Sequence, residues 1–226
     1  MTSDESFILY SYFRSGASYR VRIALHLKDI DFKINPVHLL KEGGAQHADE
    51  YRSLNPSGDV PTLIYQPSRI DQPRVIGQSM AILHFLDSLR PAVKLFPGTA
   101  YEQALVIQAC EILNSGSQPL FNLRVLQKLE REHGLGAEAK EAWARDWVVY
   151  GLKAFGGLIG VHSGAYCFGN EPTAADCFLV PHLTSARRFK VDLSPFPRLL
   201  EIEARCKELR AFQLAAPEAQ PDFEPS

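Results

Sequence analysis

The sequence has no surplus of charge of one sign: 24 Lys and Arg stand against 26 Asp and Glu, a net charge of −2. No overall field therefore favours a polyphosphate backbone, and nucleic acid is not expected as a partner. No segment approaches the ~20 consecutive apolar residues of a membrane helix, and the opening Met-Thr-Ser-Asp-Glu-Ser has neither the basic stretch nor the apolar run of a signal peptide. The expectation is a cytosolic chain that makes no contact with a membrane. Cysteine is scarce: Cys110, Cys167, Cys177 and Cys206 form no Cys-x-x-Cys pair, and the seven histidines are scattered without metal spacing. This points to reduced, mostly buried thiols and no metal, and no internal repeat is visible. What the 226 residues do have is a hydrophobic content of 46%, enough to fill one large core or two modest ones.

Residues 7–10 form a short apolar run. After a polar turn, Tyr19, Ile23 and Leu27 recur at helical spacing across 19–28, opposite Arg22, His26 and Asp29. Residues 31–37 alternate as a strand does, and 39–54 is polar and Gly-interrupted, suiting an irregular helix. Two further strands are expected at 60–65 and 74–76, joined by the polar connection 66–73, before a helix whose Ile82, Leu83, Leu86 and Leu89 share a face. These elements make a β-α-β-α-β-β-α domain over residues 1–89, with a proline-bearing linker over 90–99. Strand signals then vanish. Residues 100–116, 137–162, 173–189 and 196–212 read as helices of an all-α domain over 100–216, and the proline-rich 217–226 reads as a flexible tail.

Three places in the first domain suit an anionic peptide. Arg14, Ser15, Gly16, Ala17 and Ser18 lie between a strand and a helix, where unpaired N–H groups favour an anion and a serine can also serve as a plain N-cap. A cis bond at Val60-Pro61 would leave the Val60 backbone facing outward to pair with an extended ligand. Gln78-Ser79 precedes another helix, which Ser79 can cap while nearby amides meet a carboxylate. In the second half, Thr173 and Asp176 have capping-box spacing, and a structural role is expected of them.

Taken together, Tyr10-Ser-Tyr-Phe-Arg-Ser-Gly-Ala-Ser-Tyr-Arg-Val-Arg-Ile-Ala-Leu25, Asn55-Pro56, Val60-Pro-Thr, Gln78-Ser79, Gln118-Pro-Leu-x-Asn122 and Arg188-Phe-Lys-Val-Asp-Leu193 resemble the zeta-class glutathione transferases, the maleylacetoacetate isomerases. The resemblance runs over nearly the whole chain. It implies an α/β thioredoxin-like N-terminal domain, an all-α C-terminal domain, a homodimer, and glutathione as cofactor. By resemblance, glutathione contacts fall on Ser15, Gly16, Ala17, Ser18, Gln46, Val60, Gln78 and Ser79, with Gln118 and Asn122 contributed by the helical domain. Ser15 matches the family's catalytic serine, which helps hold glutathione as a thiolate. Arg14, Arg124 and Arg188 match positions suited to a dicarboxylate substrate, Arg14 and Arg188 also entering the catalytic set.

The implied reaction is isomerisation of maleylacetoacetate to fumarylacetoacetate, in aromatic amino acid catabolism. One departure stands out, since the family's usual Ser-Ser-Cys is here Ser15-Gly16-Ala17, so no protein thiol is available at that position. A Ser-Gly start also resembles the maleylpyruvate isomerases, which act on a shorter diacid. Conjugation or dehalogenation of small α-halo acids is a further alternative. A non-catalytic transferase-like domain is disfavoured because Ser15, Val60, Gln78 and Ser79 are all retained.

Overall fold

The computed structural model describes residues 5–68 and 72–225. Within the expected connection 66–73, residues 69–71 lie outside the described set. The chain divides into two compact units, one made of Met1–Leu95 with Leu209–Ser226, the other of Phe96–Glu208.

The first unit holds strands β1 (Ser6–Ser11), β2 (Lys33–Pro36), β3 (Thr62–Gln66) and β4 (Arg74–Gly77), with helices α1 (Gly16–Leu27), α2 (Asp49–Leu54) and α3 (Ser79–Leu89). The sheet order is β2-β1-β3-β4. β1 runs parallel to β2, pairing Leu9 with Ile34, and antiparallel to β3, pairing Leu9 with Leu63; β3 is antiparallel to β4. A parallel pair needs a crossover, and α1 supplies it. Leu9 and Leu63 are fully buried at the sheet centre, where Ile23, Leu25, Ile82, Leu83 and Leu86 complete the core.

The second unit contains α4 (Ala100–Asn114), α5 (Leu123–His133), α6 (Ala137–Ile159), α7 (Ala174–Arg188) and α8 (Pro197–Glu208). α4 packs against both α6 and α7, and α8 packs on α7. At the start of α7, Asp176 is fully buried. One carboxylate oxygen accepts from the Thr173 amide at 2.8 Å and the Thr173 hydroxyl at 2.9 Å, while the other accepts from the Cys167 amide at 2.9 Å. The capping role expected of this pair is what the structure shows, extended to the loop before it. No helix among the described residues is long and apolar enough to cross a membrane.

Four features depart from the sequence reading. α5 lies outside the expected helical stretches; its abundant charge conceals the spacing of Leu123, Leu126 and Leu129. The helix expected over 196–212 is broken at Leu209, which is extended, and α9 (Arg210–Ala215) then packs against α1. Residues 209–216 thus group with the first unit and not with the helical one. The tail is also tied down: Gln220 is buried, with its Nε2 donating to the Leu214 and Ala216 carbonyls at 2.9 and 2.7 Å. Finally, Arg22 is not on a solvated face, because α9 covers that side of α1 and leaves Arg22 fully buried.

Candidate functional site

β1 ends at Ser11, and Tyr12 to Ser15 make a turn closed by the Ser15 amide donating to the Tyr12 carbonyl at 3.0 Å. Ser15 is the N-cap of α1, and its hydroxyl oxygen accepts from the Ser18 amide at 3.2 Å. A hydroxyl that accepts still has its hydrogen to donate, and no acceptor among the described residues takes it. Gly16 and Ala17 are half-buried in the first turn, where amides lack intrahelical partners. Ser18 is fully buried and its hydroxyl is unpartnered, so its side chain faces the interior. Arg14 is exposed, its guanidinium carbon 6.0 Å from the centre of the Phe13 ring.

Tyr12, Phe13, Val37, Tyr51 and Val60 form one buried apolar cluster, which fixes the turn against the loop before β3. That loop contains a cis Val60–Pro61 bond. The Tyr51 hydroxyl donates to the Asp59 carbonyl at 2.7 Å, and Asn55 Nδ2 donates to the same carbonyl at 2.9 Å. Val60 is 8% exposed, yet its N–H and C=O enter no backbone hydrogen bond among the described residues. An extended peptide alongside would pair with both groups.

At the end of β4, Gln78 has φ +66, a left-handed conformation that is uncommon for a non-glycine residue, and its side chain is exposed. Gln78 is the N-cap residue of α3 without a side-chain cap, and Ser79 is the first helical residue. The cap expected of Ser79 is therefore not made. Its hydroxyl instead accepts from Arg20 Nη1 at 3.2 Å, since buried Arg20 reaches across from α1. The free amides opening α3 remain a place for a carboxylate. Gln46 is buried over Gly44. Its Nε2 donates to the Leu39 carbonyl at 3.3 Å, and its Oε1 has no partner.

The first unit thus joins two open helix starts, an unpaired strand-edge backbone and an unpartnered amide oxygen. These groups fit an extended, anionic tripeptide such as glutathione. Arg20 and Asn55 fall inside the sequence motifs without a supporting role assigned to them, and Tyr51 is not singled out there, its polar surroundings offering no periodic signal.

In the second unit, Gln118 opens a 3-10 turn (Gln118–Phe121) and Asn122 is the N-cap residue of α5, followed closely by exposed Arg124. Arg188 is the exposed last residue of α7, with its guanidinium carbon 4.9 Å from the Phe189 ring centre. Phe121 meets Phe189 edge-on, centroids 5.8 Å apart, so the turn that Gln118 opens packs against the residue that follows α7.

A mixed four-stranded sheet flanked by helices, with a separate helical unit, defines the glutathione transferase fold, its first unit thioredoxin-like. A family model for the glutathione S-transferase N-terminal domain matches residues 14–89. Probable maleylacetoacetate isomerase 2 of Drosophila melanogaster is 43% identical over 224 residues, covering 99% of this chain and 93% of that protein. A holo structure of maleyl pyruvate isomerase, a bacterial zeta-class glutathione S-transferase, superposes with a TM-score of 0.89 at 39% identity, covering 96% of this chain and all of that one. Maleylacetoacetate isomerase from Anaeromyxobacter dehalogenans, with glutathione in its active site, gives 0.88 at 36% identity over 98% of this chain and 100% of that one. The same protein with dicarboxyethyl glutathione and citrate bound gives 0.87 at 35% identity, over 99% of this chain and 100% of that one. The chain belongs to the zeta-class glutathione transferase family, that of the maleylacetoacetate isomerases.

Proposed function

We propose that this protein is a glutathione-dependent cis-trans isomerase that converts maleylacetoacetate to fumarylacetoacetate. The carrying observation is the Ser15 hydroxyl, held as a helix cap by the Ser18 amide with its hydrogen still to give. Relatives bearing this activity in their names span nearly the full chain, which supports the reading. When bound, glutathione supplies a thiolate nucleophile that adds reversibly to the cis double bond, allowing rotation.

A free thiol of pKa ~8.5 is only slightly ionised at neutral pH, so the first task of the protein is to favour the thiolate. Ser15 donates its hydrogen to that sulfur, aided by the open amides and positive dipole end of α1 at Gly16 and Ala17. Val60 pairs with the peptide backbone, Gln78 and the α3 amides take a carboxylate, and Ser79, Gln46, Gln118 and Asn122 are further proposed contacts. Arg14, Arg124 and Arg188 are the proposed cations for the dicarboxylate. Carboxylate-rich ligands in a relative at 35% identity favour a diacid over a neutral electrophile. With Ala17 where the family has its cysteine and all four cysteines buried, the nucleophilic sulfur is that of glutathione.

A homodimer, cytoplasmic in location and acting in tyrosine and phenylalanine breakdown, completes this reading. Maleylpyruvate is the second candidate substrate, favoured by the Ser15-Gly16 sequence and the 39% identity to a maleyl pyruvate isomerase. Conjugation or dehalogenation of small α-halo acids is a side activity that the same groups allow. Ultraviolet assays of maleylacetoacetate and maleylpyruvate, each with and without glutathione, test the proposal. Faster glutathione-dependent loss of maleylacetoacetate is expected, and no reaction of either diacid while glutathione binds would overturn it.

A further inference from the structure

The turn that carries Ser15 is gripped on two sides by groups that the late segment Leu209–Ser226 brings or anchors. On one side, buried Arg22 donates from Nη2 to the Phe13 carbonyl at 3.1 Å and from Nη1 to the Tyr12 carbonyl at 3.4 Å. Its Nε donates to the Ala215 carbonyl at 2.9 Å, fastening the end of α9 to the same guanidinium. On the other side, the Phe13 amide donates to Asp222 Oδ2 at 2.9 Å, across 209 residues of sequence, and the Phe223 ring meets Phe13 edge-on with centroids 5.6 Å apart.

The two sides are also linked by charge. Burial lowers the Arg22 pKa to about 10, against the opposing pull of Tyr19, Asp222 and Glu218, so this guanidinium stays charged at neutral pH with Asp222 among its counter-charges. Asp222 Oδ1 is buried without a partner, which spends desolvation to keep a carboxylate at the Phe13 amide. A further contact ties the segment to the stretch leading to Gln46, since Glu224 pairs with Lys41 and lies 3.7 Å from His38 Nε2.

We propose that Asp222 is a positioning residue for catalysis, holding the Phe13 amide so that the turn presents the Ser15 hydroxyl to the thiol. The proposal rests on the role assigned to Ser15 above. A four-residue turn fastened at its carbonyls alone can still rock about Phe13; an acceptor on the Phe13 amide removes that freedom. Small displacements of a positioned group are costly, about a hundredfold in rate for 1 Å.

The test measures the thiolate absorbance of glutathione bound to the full chain, as a function of pH, in wild type, Asp222→Ala and Asp222→Asn. The alanine variant is expected to lose about tenfold in thiolate at neutral pH, the worth of one charge-assisted hydrogen bond. Asparagine, whose carbonyl can still accept from the Phe13 amide, should recover most of it. Wild-type thiolate in Asp222→Ala, or an asparagine variant as impaired as alanine, overturns the proposal. If the alanine variant does not fold, hydrogen exchange of the Phe13 amide in wild type and Asp222→Asn decides: protection in both is expected, and rapid exchange in wild type overturns it. None of these readouts needs a diacid, so a wild-type enzyme that forms thiolate but isomerises nothing would sink the proposed function and leave this proposal standing.

Discussion

The Ser18 amide donates to the Ser15 hydroxyl oxygen at 3.2 Å, so the residue proposed to activate the thiol also caps α1. Ser15→Ala should lose one to two decades of turnover, the worth of about 1.5 to 3 kcal/mol at a charged group. Loss of the cap should cost about 1 kcal/mol of stability. Ser15→Asn restores a good cap without the hydroxyl, and is expected to regain the unfolding temperature but not the rate. Turnover near wild type in either variant contradicts the assignment, and Ser18 cannot inherit it from its buried position.

Arg188→Met should weaken diacid turnover far more than glutathione binding or reaction with a neutral haloarene. An exposed cation contributes little, whereas one shielded by a bound dicarboxylate contributes about 1.5 to 3 kcal/mol, so about a ten- to hundredfold rise in KM for the diacid is expected. Arg14→Met should behave similarly. Equal losses on charged and neutral substrates would assign both arginines to structure instead.

All four cysteines are buried, and burial pushes the Cys167 and Cys206 thiols well above their ordinary range, with Asp176 adding to the effect. Thiol reagents need the thiolate and access to it. Isomerase activity should therefore survive mild alkylation, with mass spectrometry finding four modifications only after denaturation. Rapid inactivation that glutathione prevents would refute this.

His26 titrates below the ordinary imidazole range because it is partly buried, with the positive charges of Arg22 and Arg210 adding to the burial. The unfolded chain therefore binds this proton more readily than the folded one. Stability from this source is complete above the unfolded value of ~6.5 and is lost as pH falls through the depressed folded value. The unfolding temperature should drop on acidification, and drop less in His26→Gln, which carries no titrating group. Parallel pH curves for the two proteins would rule out this contribution.

The sheet and its helices were legible because each strand shows its inward residues, Leu9, Leu63 and Ile76 among them, in short runs bounded by polar turns. The Asp176 cap was legible from residue type and spacing alone, whereas residue type left Ser15 and Ser18 both open as the cap of α1, which Ser15 makes. Arg22 was not, since helical periodicity assigns it to water and only α9, ending 193 residues later, buries it. Arg20 bonding Ser79, the left-handed Gln78 and the break at Leu209 depend likewise on tertiary neighbours and leave no local mark.

Because the first unit is closed by Leu209–Ser226, its assembly cannot follow the order of synthesis. A ribosome delivers the β1 turn early, and the whole of Phe96–Glu208 must emerge before Ala215 and Asp222 can reach Arg22 and Phe13. Until then a nascent chain holds the Arg22 guanidinium by the Tyr12 and Phe13 carbonyls, without Ala215 and Asp222, and the sheet domain is incompletely covered. Contacts of such long sequence separation form late and slow folding. The unit that carries the proposed Ser15 site is thus started before the helical unit and closed only after it.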